Sequence, residues 1–155
     1  MTTRLIIIGA GPVGQQLAKL AGELDFDVSV LDERASLLVA DNFPPQTKLL
    51  PGELDTVLGE LTTTPDDYIA IVAQVWSRDQ RALEMLVHRP LKYLGLIGCQ
   101  RKLGELFPAL EATGIERAAL DKVRAPIGLY IGSRTPTEIA ISICAELIAV
   151  RSGKR

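Results

Sequence analysis

Gly9, Gly11 and Gly14 lie in the run Gly9-Ala10-Gly11-Pro12-Val13-Gly14, directly after the apolar stretch Leu5-Ile6-Ile7-Ile8. This spacing suits a phosphate. The first glycine allows a tight turn out of a strand, the second lets backbone approach a pyrophosphate, and the third lets a helix pack against the strand. Pro12 fits the first helical turn, where its missing N–H costs nothing, and Val13 opens the apolar face of that helix. Backbone N–H groups at such a helix start attract anions. About 20 residues downstream, Asp32 ends a second apolar run, the position of a ribose-binding carboxylate. Arg34 would favour a 2′-phosphate and Asp32 would repel one, so NAD is expected over NADP. The competing reading is a nucleotide-type fold that no longer holds a ligand.

A second cluster is Gly98-Cys99-Gln100-Arg101-Lys102. It falls at the end of a predicted strand, the edge where open α/β sheets bind ligands. Arg101 and Lys102 are cations suited to phosphate. Cys99, close to a helix start and two cations, is expected to be acidified; the alternative is a small buried thiol. A third cluster spans Ala125 to Pro136, where Arg134 precedes a helix cap and is placed to meet an anion. Cys144 lies in an apolar helix and reads as core. His88, at a helix end, reads as a cap rather than a catalyst. Trp76 suits ring stacking and loop shielding equally. Asp79 reads as a helix start and Glu138 as a capping partner. No acid–base pair stands at a strand end, so a cofactor-binding role is favoured over a stand-alone enzyme. No metal site is expected.

The elements that must carry these residues alternate. Strands are predicted at 5–8, 28–32, 47–50, 68–73 and 93–97, with a sixth at 127–131. Between them fall helices at 12–24, 53–61, 79–88, 102–112 and 116–123, and a short irregular helix at 34–42. Pro108 is expected to kink or divide the fifth of these helices in chain order. The last helix begins at Thr135-Pro136-Thr137-Glu138 with capping-box spacing and runs through Val150. Strands that are continuously apolar and separated by helices imply a doubly wound, mostly parallel sheet with helices on both faces, a Rossmann-like α/β fold. The expectation is one domain over residues 1–151 and a frayed tail over 152–155.

The chain has 155 residues and a net charge of −2, with 17 Lys and Arg against 19 Asp and Glu, which disfavours a nucleic-acid binder. Two cysteines make no disulfide framework and point to a reducing compartment. Mean hydropathy is +0.20, yet no apolar run approaches the ~20 residues of a membrane span. No signal peptide is read at the N-terminus. The expected location is the cytoplasm. The last helix has apolar residues on more than one face, which favours a homodimer.

Tyr93-Leu94-Gly95-Leu96-Ile97-Gly98, Arg101-Lys102, Pro126-Ile127-Gly128-Leu129, Gly132, Arg134-Thr135-Pro136, Glu138-Ile139-Ala140 and Ala145-Glu146 together resemble the Rossmann domain of the XdhC/CoxI family, the xanthine dehydrogenase accessory proteins. The resemblance runs from the glycine motif to the last helix. It implies binding of the molybdenum cofactor, as molybdopterin or its dinucleotide, and a chaperone role in its sulfuration or insertion into a molybdenum hydroxylase client. NAD(H) binding by an oxidoreductase or redox-sensing domain is the alternative, and a non-catalytic interaction domain with a vestigial cleft is another. Family members usually carry a further N-terminal domain, so this chain is expected to be a lone domain or half of a split system. Ala73-Gln74 stand where the family often has Thr-His. Gly98-Cys99-Gln100-Arg101 stand where it usually has Gly-Ser-Arg-Arg. That change leaves room for Cys99 to handle sulfur or a soft metal.

Overall fold

The computed structural model describes residues 2–154. Met1 and Arg155, the ends of the expected domain and tail, lie outside the described residues. Five parallel strands form one sheet: β1 (Thr3–Ile8), β2 (Phe26–Asp32), β3 (Lys48–Pro51), β4 (Tyr68–Ile71) and β5 (Tyr93–Leu96), in the order β3-β2-β1-β4-β5. Chain direction across the sheet reverses between β1 and β4, so their carboxyl ends flank a crevice at the switch point. Ile7 on β1 lies opposite Val30 on β2 and Ala70 on β4, which fixes the register at the centre.

β1 is apolar without alternation because both its faces are covered. Leu5 and Ile7 pack into one helical layer, and Ile6 and Ile8 into the other. The first layer is α1 (Pro12–Glu23) against α6 (Pro136–Arg151), closed by Leu17, Ala21, Ile143 and Leu147. The second holds α2 (Leu54–Glu60), α3 (Trp76–Leu86), α4 (Gln100–Ala112) and the short α5 (Arg117–Leu120), with Leu58, Leu83, Leu106 and Leu120 at its centre. The capping box forms at α6: Glu138 N–H donates to Thr135 Oγ1 at 3.1 Å, and Thr135 N–H donates to Glu138 Oε1 at 3.1 Å.

Three expectations change. The sixth strand at 127–131 does not form. The chain runs along β5 earlier, where Arg124 N–H donates to Leu94 O at 2.8 Å and Ile127 N–H to Leu96 O at 2.9 Å. Pro126 then has no N–H to extend a ladder, and Gly128 at φ +91° turns the chain outward. Pro108 does not divide α4, which continues through it. Pro108 and Gly104, one turn before it, are both exposed, so water can satisfy the carbonyl that Pro108 leaves unpaired. Of residues 34–42, only Ala40–Asn42 form a helical turn, of the 3-10 type. No described helix is long and apolar enough to cross a membrane.

Candidate functional site

The glycine motif leaves β1 as a closely packed turn. Gly9 has φ +128°, and a Cβ there would lie 2.8 Å from Ala73 N, so only glycine lets the two strand ends meet at the switch point. A Cβ on Gly14 would fall 1.8 Å from the Gly9 carbonyl oxygen. Gly11 differs: a Cβ there would meet nothing within 4 Å, leaving open space above the start of α1. Pro12 is exposed as the first helical residue, and Val13 is buried in the core. The motif therefore contains two packing glycines and one that faces free volume.

Asp32 ends β2 beside this turn and is 6% exposed. Its Oδ2 accepts from Ala10 N–H at 2.8 Å and from Arg34 Nη2 at 2.8 Å. Its Oδ1 accepts from Arg34 N–H at 2.8 Å and Arg34 Nε at 3.0 Å. Burial pushes the carboxyl up, but the Arg34 guanidinium and the two backbone N–H groups outweigh it and hold its pKa at about 2. Four accepted hydrogen bonds saturate a carboxylate, so a ribose hydroxyl would have to displace Arg34. The hollow beside Asp32 measures only 10 Å³, and the Arg78 Nε–Glu33 Oε1 pair at 2.8 Å lies along its wall. That is about the space of one water.

Most of the free volume lies on the other side of the switch point. A 690 Å³ cavity, mostly apolar, is bounded by Ile97–Gln100, the loop Pro126–Ser133, Ile139 and Ser142. A 340 Å³ cavity lined by Trp76 and Lys102 adjoins it, and the two share Gln74, Ile97, Gly98 and Cys99. Gln74, just past β4, holds φ +62°, an unfavourable conformation for a residue with a side chain. Such strain concentrates at ligand sites.

The second cluster splits here. Gly98 and Cys99 line both cavities. Cys99 is exposed, not a buried thiol, and the backbone N–H groups of Lys102 and Arg101 at the start of α4 lower its pKa. Cys144 is buried, and burial alone raises its pKa to about 11. Arg101 points away, with its side chain 89% exposed beside Glu105 at 3.9 Å. Lys102 turns inward instead. Its ammonium pairs with Asp79 and donates to Ile97 O at 3.2 Å. Arg134 is also exposed; its backbone N–H donates to Glu138 Oε1 at 2.9 Å, and its neighbour Ser133 lines the large cavity. His88 does not cap its helix through its ring, which meets Glu116 Oε1 at 2.8 Å.

A sequence reading misses the burial of Asp79 and Glu146; α3 starts at Trp76, so Asp79 lies inside the helix rather than at its start. Asp79 is fully buried in α3, and its Oδ1 has no hydrogen-bond partner. Burial raises its pKa, and the Lys102 hydrogen bond opposes that. Glu146, in α6, accepts from Tyr93 Oη at 2.6 Å and from Gly128 N–H at 3.0 Å. Burial, then the Glu146 charge, drive the Tyr93 pKa well above its ordinary value. This network, with Leu129 N–H donating to Ser142 O at 3.1 Å, fixes the loop that walls the large cavity. The available signal was a charge inside an apolar stripe: Asp79 shares the spacing of Ala82, Leu83 and Leu86, and Glu146 that of Ile143, Leu147 and Val150.

Strand order, crossover and the glycine turn at the switch point define a Rossmann-like α/β domain. Its open volume lies beside β5 and α6 rather than beside Asp32. The family model of the XdhC Rossmann domain matches residues 5–147, and the chain belongs to that family. It is 35% identical over 153 residues to the uncharacterized protein YqeB of Escherichia coli K12, covering 98% of this chain and 28% of YqeB. It is 31% identical over 148 residues to a probable xanthine dehydrogenase component of Bacillus subtilis 168, covering 96% of this chain and 43% of that protein. A crystal structure described as a xanthine dehydrogenase from Bacillus halodurans superposes with a TM-score of 0.88 at 30% identity, covering 99% of this chain and 44% of that one. The chain thus spans less than half the length of each of these relatives. The ChuY structure from Escherichia coli CFT073, at 15% identity and a TM-score of 0.59, shares the fold.

Proposed function

We propose that this chain is the cofactor-handling domain of a xanthine dehydrogenase maturation system, and that it holds molybdopterin or its dinucleotide as cargo for a molybdenum hydroxylase. The observation that carries this reading is the asymmetry of the cleft. The hollow beside Asp32, where an adenosine would sit, has 10 Å³, whereas the β5 side offers 690 Å³ of mostly apolar space. Small-molecule sites run from ~300 to ~1,000 Å³ with apolar walls and a few polar groups. The larger cavity fits a ring such as a pterin. The polar groups lining it suit binding and not catalysis: Gln74, Ser133 and Ser142 are neutral, and Cys99 is the acidified thiol at its edge. The same asymmetry counts against NAD(H) as the ligand, since an NAD adenosine would require Arg34 and Arg78 to move.

Cargo must leave, and Leu129, Tyr130 and Ile131 expose apolar side chains at the rim of the large cavity. Such a patch suits a protein client or a further family domain. Ile141 and Ile148 on the outer face of α6 extend the apolar surface and would serve a homodimer.

A thermal-unfolding panel tests the reading. A molybdopterin-containing fraction at a hundredfold excess over Kd should add ~2.7 kcal/mol, while NAD, NADP, AMP and CMP should add nothing comparable. Stabilisation by NAD together with indifference to the pterin would overturn it.

A further inference from the structure

Lys102 and Asp79 form a buried pair whose purpose packing does not explain. Asp79 is 0% exposed, sits in the leucine-rich contact of α3 with α4, and has one carboxylate oxygen without a partner. A buried ion pair is roughly neutral in stability against well-packed apolar residues of similar size, and removing one partner is costly. Two apolar side chains would join these helices equally well. What such residues would not do is hold a positive charge at the wall of a cavity. Lys102 does so: it lines the 340 Å³ cavity, and its stem crosses Gly98, where a Cβ would lie 3.0 Å from Lys102 Cδ. An ammonium has three N–H donors. Asp79 takes one and Ile97 O a second, which leaves the third for a ligand. Lys102 is also the one cation lining either of the two joined cavities among the described residues, since Arg101 and Arg134 point to solvent.

We propose that Lys102, positioned by Asp79, is the anion-binding residue of this cleft, and that its ligand carries a phosphate or other acidic group beside a ring seated in the larger cavity. The ring half of the statement rests on the function proposed above; the anion half stands on Lys102 alone. Asp79 keeps the ammonium in one orientation, so less side-chain freedom is lost on binding.

Cys99 supplies a local reporter, because it is exposed, lines both cavities and differs from buried Cys144. Its alkylation rate by iodoacetamide would be measured with and without inorganic pyrophosphate. In the wild type and in Arg101→Ala, pyrophosphate should slow alkylation severalfold. In Lys102→Met the protection should disappear. Because Lys102→Met strands a buried carboxylate, the double variant D79L/K102M, which replaces the pair by apolar residues, serves as a second test and should also show none. Protection that persists without Lys102, or none in the wild type, would overturn the proposal. The same assay with pterin-6-carboxylate and uncharged 6-methylpterin separates the two halves. Loss of Lys102 should weaken the charged pterin at least tenfold and leave the neutral one unchanged. If pyrophosphate protects and neither pterin does, the anion site stands and the pterin reading fails.

Discussion

Replacing Asp32 with asparagine keeps the shape of the side chain and removes the charge that Arg34 and the glycine turn are built around. The folded carboxyl has a pKa of about 2 against 3.8 for its ordinary value. A shift of ~1.8 units corresponds to ~2.4 kcal/mol of stability at neutral pH. The Arg34 side chain is 37% exposed, so water competes for it and ~1.5–2 kcal/mol is the realistic share. A depressed carboxylate contributes fully above its unfolded pKa and loses its contribution as pH falls through the folded one. About half the effect should therefore be gone at pH ~3 and most of it at pH ~2. Urea unfolding of wild type and Asp32→Asn at pH 7 and pH 3 isolates the effect, because the other acids titrate alike in both proteins. The wild type should be more stable at pH 7, and the gap should roughly halve at pH 3. A gap that stays constant would mean that Asp32 contributes through shape and not charge, and the account of the glycine turn would fail with it.

Three further outcomes follow from the packing. Gly14→Ala should cost at least ~3 kcal/mol in thermal unfolding, since its Cβ would sit 1.8 Å from the Gly9 carbonyl oxygen, while Gly11→Ala should cost far less. Tyr93→Phe should lower stability by ~1–2 kcal/mol by deleting a 2.6 Å hydrogen bond to buried Glu146, and limited proteolysis should then cut the Pro126–Ser133 loop faster. Thr135→Ala should cost ~1 kcal/mol by opening the capping box of α6, and an unchanged melting temperature would contradict that.

The sequence made the parallel sheet legible because strands covered on both faces have no polar alternation to confuse with a helix, as Leu5–Ile8 shows. The α6 start was legible for a local reason: Thr135, Pro136 and Glu138 bond within one turn. The strand expected at 127–131 does not form because, although β-branched residues there suggest pairing, Pro126 and the left-handed Gly128 end it. The placement of the glycine motif and Asp32 at one strand edge could be read from spacing. What spacing could not show was that Arg34 closes back on Asp32, or that Arg101 faces water while its neighbour Lys102 faces the cleft. Those outcomes depend on rotamers set by ion pairing, locally between Arg34 and Asp32 and across 23 residues between Lys102 and Asp79. The burial of Asp79 and Glu146 was hidden because one-letter periodicity treats a charge in an apolar stripe as noise.

Trp76 is the chain's sole tryptophan, 39% exposed, with its indole N–H donated to Gln80 Oε1 at 3.1 Å on the wall of the Lys102 cavity. Every photon of indole emission from this protein therefore originates at the candidate site. A titration read by intrinsic fluorescence needs no label and no engineered probe, and a pterin entering the cleft would absorb in the range where that indole emits. The domain carries its own spectroscopic window onto the volume where its ligand is expected to sit.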